Sequence, residues 1–76
     1  MQMRLDCLNP GCRGTVTRIE TAEPLKRRLY QFGLVPGTPV TCLYRNCAGD
    51  LMALELRGSM LALHVRDAGR IWVKCP

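Results

Sequence analysis

Leu25-Lys26-Arg27-Arg28-Leu29-Tyr30-Gln31-Phe32-Gly33-Leu34-Val35-Pro36-Gly37 is the stretch on which the fold of this chain turns. Pro24 before it suits a first helical position, where a missing N–H costs nothing. Leu25, Leu29 and Phe32 recur at i, i+4 and i+7, which predicts a helix over 24–32 with one apolar face. Lys26, Arg27 and Arg28 then fall on its other faces. Gly33 stands where a left-handed residue ends a helix, and Leu34 supplies the apolar contact such ends make. Val35-Pro36-Gly37 reads as a turn with Pro preset at its second position.

On either side of this unit the period changes to two. Gly14 to Glu20 is rich in β-branched residues and reads as a first strand. Val40, Cys42 and Tyr44 alternate with Thr41, Leu43 and Arg45. After the Ala48-Gly49-Asp50 turn, Met52, Leu54 and Leu56 alternate with Ala53, Glu55 and Arg57, giving a strand with an inward face. Arg57-Gly58-Ser59 makes a hairpin connection into a strand whose inward face holds Leu61 and Leu63. Arg66 to Gly69 turns the chain, and Ile71 and Val73 close a short last strand. At the other end, Leu5 and Leu8 belong to one helical turn or an extended lead-in, before a tight turn at Asn9-Pro10-Gly11.

Seventy-six residues make a single domain, 1–76, with a small core and no room for a separate catalytic domain. Only four aromatics are present, so Leu, Val, Ile, Met and Ala must fill that core. No run approaches the roughly 20 apolar residues that span a bilayer, and Met1 to Asp6 lacks the apolar stretch of a signal peptide. A cytoplasmic location with reduced thiols is therefore expected. Five short strands in so small a chain leave exposed edges unless the sheet curls on itself. The sequence thus predicts a mainly β fold: a small, partly open SH3-like β-barrel of about five short strands, with one α-helix between the first two.

The helix-to-turn stretch, with Val40 behind it, resembles the hallmark of ferrous iron transport protein A, the FeoA family. That family carries an Arg-Leu helix end, then Gly-Leu-x-Pro-Gly, then a Val-rich strand. Gly49-Asp50 is similar to the family's Pro-x-Gly-Asp-Pro turn, with Cys47 and Leu51 in place of its prolines. Gly58 with Leu61-Ala62-Leu63 resembles its Gly-x-x-(apolar)-Ala-Leu-Arg strand, where the Arg is His64 here. Ala68, Ile71 and Val73 resemble its closing Ala-x-x-Ile-x-Val. The resemblance runs from about Leu5 to Val73. It implies an SH3-like fold and a non-enzymatic accessory role to FeoB, the membrane ferrous iron transporter with a cytosolic GTP-binding domain. The same domain type ends metalloregulators of the diphtheria-toxin-repressor type, so fold alone does not fix the role.

The residues themselves argue against catalysis. His64 is the one histidine and has no nucleophile near it in sequence. The six carboxylates, Asp6, Glu20, Glu23, Asp50, Glu55 and Asp67, are scattered and form no motif. Cys7, Cys12, Cys42, Cys47 and Cys75, with His64, are the candidate metal ligands, in pairs spaced at the loose edge of zinc-site rules. The odd cysteine count argues against a disulfide scaffold. Cys42, in phase with Val40 and Tyr44, reads as a small buried hydrophobe. No bound metal and no cofactor is expected.

Eleven Lys and Arg against six Asp and Glu give +5, which favours an acidic partner. Aromatics are not interleaved with the basic run Lys26-Arg27-Arg28 as a base-stacking surface requires, and nucleic acid is not expected. Arg27, Arg28, Tyr30 and Gln31, outside the apolar stripe, are the candidate docking face, since Tyr and Arg are enriched at interfaces. Leu34 and the Gly49-Asp50 tip join them because loops carry function. The expected partner is the cytosolic GTP-binding region of a FeoB-type transporter, with the chain held at the membrane only through it and self-association left open. The alternatives are a stand-alone metalloregulator-type domain sensing metal through its thiols, and a basic nucleic-acid-binding module.

Overall fold

A computed structural model describes residues 1–76. Six strands, β1 (Gln2–Arg4), β2 (Arg13–Ile19), β3 (Pro39–Arg45), β4 (Leu51–Leu56), β5 (Ser59–His64) and β6 (Ile71–Lys74), form one antiparallel sheet in the order β1-β6-β2-β3-β4-β5. Helix α1 (Leu25–Phe32) links β2 to β3, and a four-residue helix α2 (Val65–Ala68) follows β5. All five expected strands are present. The sixth, β1, pairs Gln2 with Lys74 and Arg4 with Trp72, and is joined to β2 through a 3-10 turn, Leu5–Cys7.

The sheet is mainly β and SH3-like, and it does not close by hydrogen bonds: β1 and β5 are its two edges. Helix α2 packs on both β5 and the Leu5–Cys7 turn, so it spans between the two ends of the sheet. Arg45 of β3 ties the same turn down from the other side, donating to the carbonyls of Asp6 and Leu8. One apolar cluster collects Val16 and Ile19 of β2, Val40 and Cys42 of β3, Met52, Leu54 and Leu56 of β4, Leu63 of β5 and Ile71 and Val73 of β6. Leu5, Leu8, Leu29, Leu34 and Ala68 cap it. Gly14 lets β2 approach β6 there, because a Cβ at this position would lie 3.2 Å from Val73.

The inward face of β4 is as the alternation predicts. In β3 the alternation breaks. Cys42 pairs with Leu54 but Tyr44 pairs with Ala53, so Leu43 is an extra, bulged residue. The bulge carries Tyr44 to the outer face, where it is 54% exposed instead of continuing the inward row of Val40 and Cys42. A second bulge between Val16 and Arg18 re-aims β2 against β6. There Arg18 lies 5.3 Å from the Trp72 ring centre and pairs with Glu20, which also accepts from the Trp72 indole.

Candidate docking surface

The end of α1 is fixed by its own backbone. Gly33 takes φ 104°, its N–H bonds Tyr30 O, and the Leu34 N–H bonds Leu29 O at 2.8 Å. This paired arrangement satisfies the orphan carbonyls of the last turn and folds Leu34 back onto Leu29. Val35 to Thr38 then turns with a bond from the Thr38 N–H to Val35 O at 3.0 Å. The Thr38 hydroxyl donates to Gly33 O at 2.9 Å and accepts from the Val35 N–H at 3.3 Å. Its backbone accepts from the Val16 N–H, while the Gly37 N–H bonds Val16 O, so the turn is fastened to β2. Thr38 is buried with its hydroxyl satisfied.

This geometry exchanges the roles of two residues. Leu34, a docking candidate from its place in a connection, has no exposed surface and belongs to the core. It leaves the docking set because the helix-end motif turns it inward. Phe32, assigned to the apolar stripe, is 42% exposed, because α1 ends at this residue and Leu34 takes the core position. Leu25 is half-buried against the core and Leu29 is fully within it.

The outward face of α1 presents Arg27, Arg28, Tyr30, Gln31 and Phe32, all exposed. Neither arginine is in an ion pair; the two such pairs in the molecule are Arg4 with Asp6 and Arg18 with Glu20. The Lys26 ammonium stands 6.0 Å from the Tyr30 ring centre, at the outer reach of a cation–π contact. Glu23 accepts from the Arg27 backbone N–H. Glu23, Lys26, Arg27 and Tyr30 line an open depression of about 350 Å³. The surface is therefore cationic and aromatic, with a dimple on it.

The hairpin tip between β3 and β4 is organised differently. Asn46 Oδ1 accepts from the backbone N–H groups of Asp50 and Leu51, and its amide donates to Asp50 Oδ1 at 2.7 Å. Gly49 has φ 77° and donates its N–H to Asn46 O. Asn46 thus braces a tip that lacks the family's prolines. Gly49 and Asp50 are exposed, but one Asp50 carboxylate oxygen already serves Asn46.

The remaining candidates are scattered. Cys47 sits in the hairpin tip, His64 at the end of β5, and Cys42 in the core, where burial first, against the opposing charge of Arg45, pushes its thiol up. Cys7, Cys12 and Cys75 line one cleft. No three His, Cys, Asp or Glu side chains converge in metal-binding geometry. The carboxylates serve local structure: Asp6 pairs with Arg4, Glu20 with Arg18, and Glu55 accepts from the Gly58 N–H. Acidic groups also interrupt the basic surface, since Arg70 shares a depression with Glu20, Glu23 and Asp67.

The model of the FeoA domain matches residues 3–75. The chain belongs to the FeoA family. The FeoA protein from Chlorobium tepidum is 30% identical, with a TM-score of 0.93 over 96% of this chain and 70% of its own. A FeoA-like protein from Clostridium acetobutylicum is 27% identical, with a TM-score of 0.85 over 97% and 86%. A manganese-dependent transcriptional repressor in complex with manganese is 25% identical, with a TM-score of 0.87 over 99% of this chain and 37% of its own. No curated protein matches the sequence. The family links this chain to ferrous iron transport.

Within this FeoA domain, the docking face drawn from sequence left out Phe32, Glu23 and Lys26. For Phe32 a signal was available. A residue directly before a C-terminal glycine ends the helix, and the apolar residue after that glycine takes over the core contact. For Glu23 no comparable signal exists, because it joins the dimple through the local path of the chain before α1, whereas Lys26 lies within α1 and was already readable as outside the apolar stripe.

Proposed function

We propose that this FeoA domain is a cytosolic, non-enzymatic accessory of ferrous iron uptake that docks on the cytosolic GTP-binding region of a FeoB-type transporter. Family membership supports the accessory role. The observation that carries the docking is the outward face of α1: two unpaired arginines beside exposed Tyr30, Gln31 and Phe32, on a helix whose end is anchored by buried Leu34 and Thr38. Arg and aromatic side chains are the residues interfaces enrich, and a helix presents them already ordered, which lowers the entropy lost on binding. No helix here is long and apolar enough to cross a membrane, so a membrane role is reached through the partner. Positive charge on the face steers approach to an acidic surface.

Titration of the chain into the transporter's isolated cytosolic region, with and without guanine nucleotide and at two salt concentrations, tests this reading. Saturable binding that weakens with salt is expected; no binding in either nucleotide state refutes it. A second reading, a stand-alone domain of metalloregulator type, draws support from the likeness to the manganese-dependent repressor. Stoichiometric metal on the purified chain, lost on replacing Cys7 and Cys12, would favour it.

A further inference from the structure

Four of the five cysteines gather at one end of β2. Cys7, Cys12 and Cys75 line a cleft of about 320 Å³ beside Met3 and Arg13, and Cys7 and Cys12 are exposed. Cys42, on β3, is fully buried. The β2–β3 register pairs Gly14 with Val40 and Arg13 with Thr41, so one step further Cys12 stands opposite Cys42. Two hydrogen bonds hold that step: the Cys42 N–H to Cys12 O at 3.0 Å, and the Gly11 N–H to Cys42 O at 2.7 Å. Gly11, at φ 86°, is the glycine of a bulge closing the Asn9–Cys12 turn.

Side chains two apart along a strand share a face. Gly14 and Val40 are both buried, so Cys12 and Cys42 lie on the inner side, Cys12 at the rim and Cys42 beneath it. Opposite residues of antiparallel strands have Cα atoms roughly 4.5–5.5 Å apart, inside the roughly 4.4–6.8 Å that a disulfide bridges. Burial raises the Cys42 thiol, the nearby Arg45 charge works against that, and Cys12 adds to it, which agrees with the closeness the register gives the two residues.

We propose that Cys12 and Cys42 are an oxidisable pair, in which a small peroxide entering the cleft oxidises Cys12 and Cys42 resolves it to a cross-strand disulfide. The Cys12 thiolate attacks one peroxide oxygen; an S–O bond forms, the O–O bond breaks, and the released hydroxide takes a proton to leave as water. The Cys42 sulphur then attacks the Cys12 sulphur. An S–S bond forms, the S–O bond breaks, and hydroxide departs with the Cys42 proton as a second water. Two thiols are oxidised and one peroxide is reduced to two waters. The oxidant never has to reach buried Cys42. In a reducing compartment a bond of this kind is transient and signals redox state.

The test uses the full reduced chain and hydrogen peroxide. Under native conditions it is expected to lose two of its five thiols and the mass of two hydrogens. Tryptic digestion should join the peptide Leu5 to Arg13 to the peptide Leu29 to Arg45. Because the first peptide holds both Cys7 and Cys12, Cys7→Ser should retain the link and Cys12→Ser should abolish it. Both positions are exposed, so both variants should fold. A link that survives Cys12→Ser, a link from Cys12 to Cys7 or Cys75 instead, or five thiols that persist until denaturant is added would each overturn the proposal.

Discussion

The Gly33–Thr38 turn and the outward face of α1 adjoin in sequence and differ in nearly every physical respect. In the turn, Leu34 and Thr38 are buried, the hydroxyl of Thr38 is satisfied twice, and the backbone is fastened to Val16. On the helix face, Arg27, Arg28, Tyr30, Gln31 and Phe32 are exposed, and neither arginine has an ionic partner. The part of the stretch that is easiest to recognise is therefore the part that builds the domain. The part free to meet another molecule is the turn of helix before it.

The sharpest way to break this contrast is Leu34→Ala. Removing a buried Leu should cost about 2–5 kcal/mol, much of the stability of so small a domain. A melting curve like that of the unaltered chain would place Leu34 on the surface. Thr38→Val comes next. It keeps the shape but deprives Gly33 O and the Val35 N–H of their partner, and should cost about 1–3 kcal/mol, read by denaturant titration. Thr38→Ser should recover most of that loss. Phe32→Ala should cost less than Leu29→Ala, which falls in the same range as Leu34→Ala; equal losses at Phe32 and Leu29 would restore Phe32 to the core. Reversal of Arg27 and Arg28 to Glu should change stability by under about 0.5 kcal/mol, as is usual at solvated positions.

Local periodicity made most of this fold legible. The 3.6-residue rhythm of Leu25 and Leu29 marked α1, and Met52, Leu54 and Leu56 marked the inward face of β4, because each element satisfies its own pattern. What escaped were features set by contacts distant in sequence. β1 is three residues long and exists only because Met3 pairs with Val73. The Leu43 bulge, which sends Tyr44 outward, is defined by the register with β4 and leaves no mark in β3 itself. The four residues of α2 are too few to show a period. Of the docking candidates, Arg27, Arg28, Tyr30 and Gln31 were readable as the residues left over by the apolar stripe. Phe32 and Leu34 were exchanged because a stripe drawn at constant pitch runs past the point where Gly33 stops the helix.

The two exposed candidate surfaces also separate by charge. The α1 face is cationic, whereas the hairpin tip offers Asp50 already engaged by Asn46. Parallel binding titrations to the transporter's cytosolic GTP-binding region, with the Arg27→Glu/Arg28→Glu chain and the Asp50→Lys chain beside the unaltered one, test the central claim most directly. The helix-face account predicts slower, less salt-dependent association for the folded arginine double variant and near-normal binding for Asp50→Lys. Full binding by the double variant, with binding lost in Asp50→Lys, would contradict it and move the docking site to the hairpin tip.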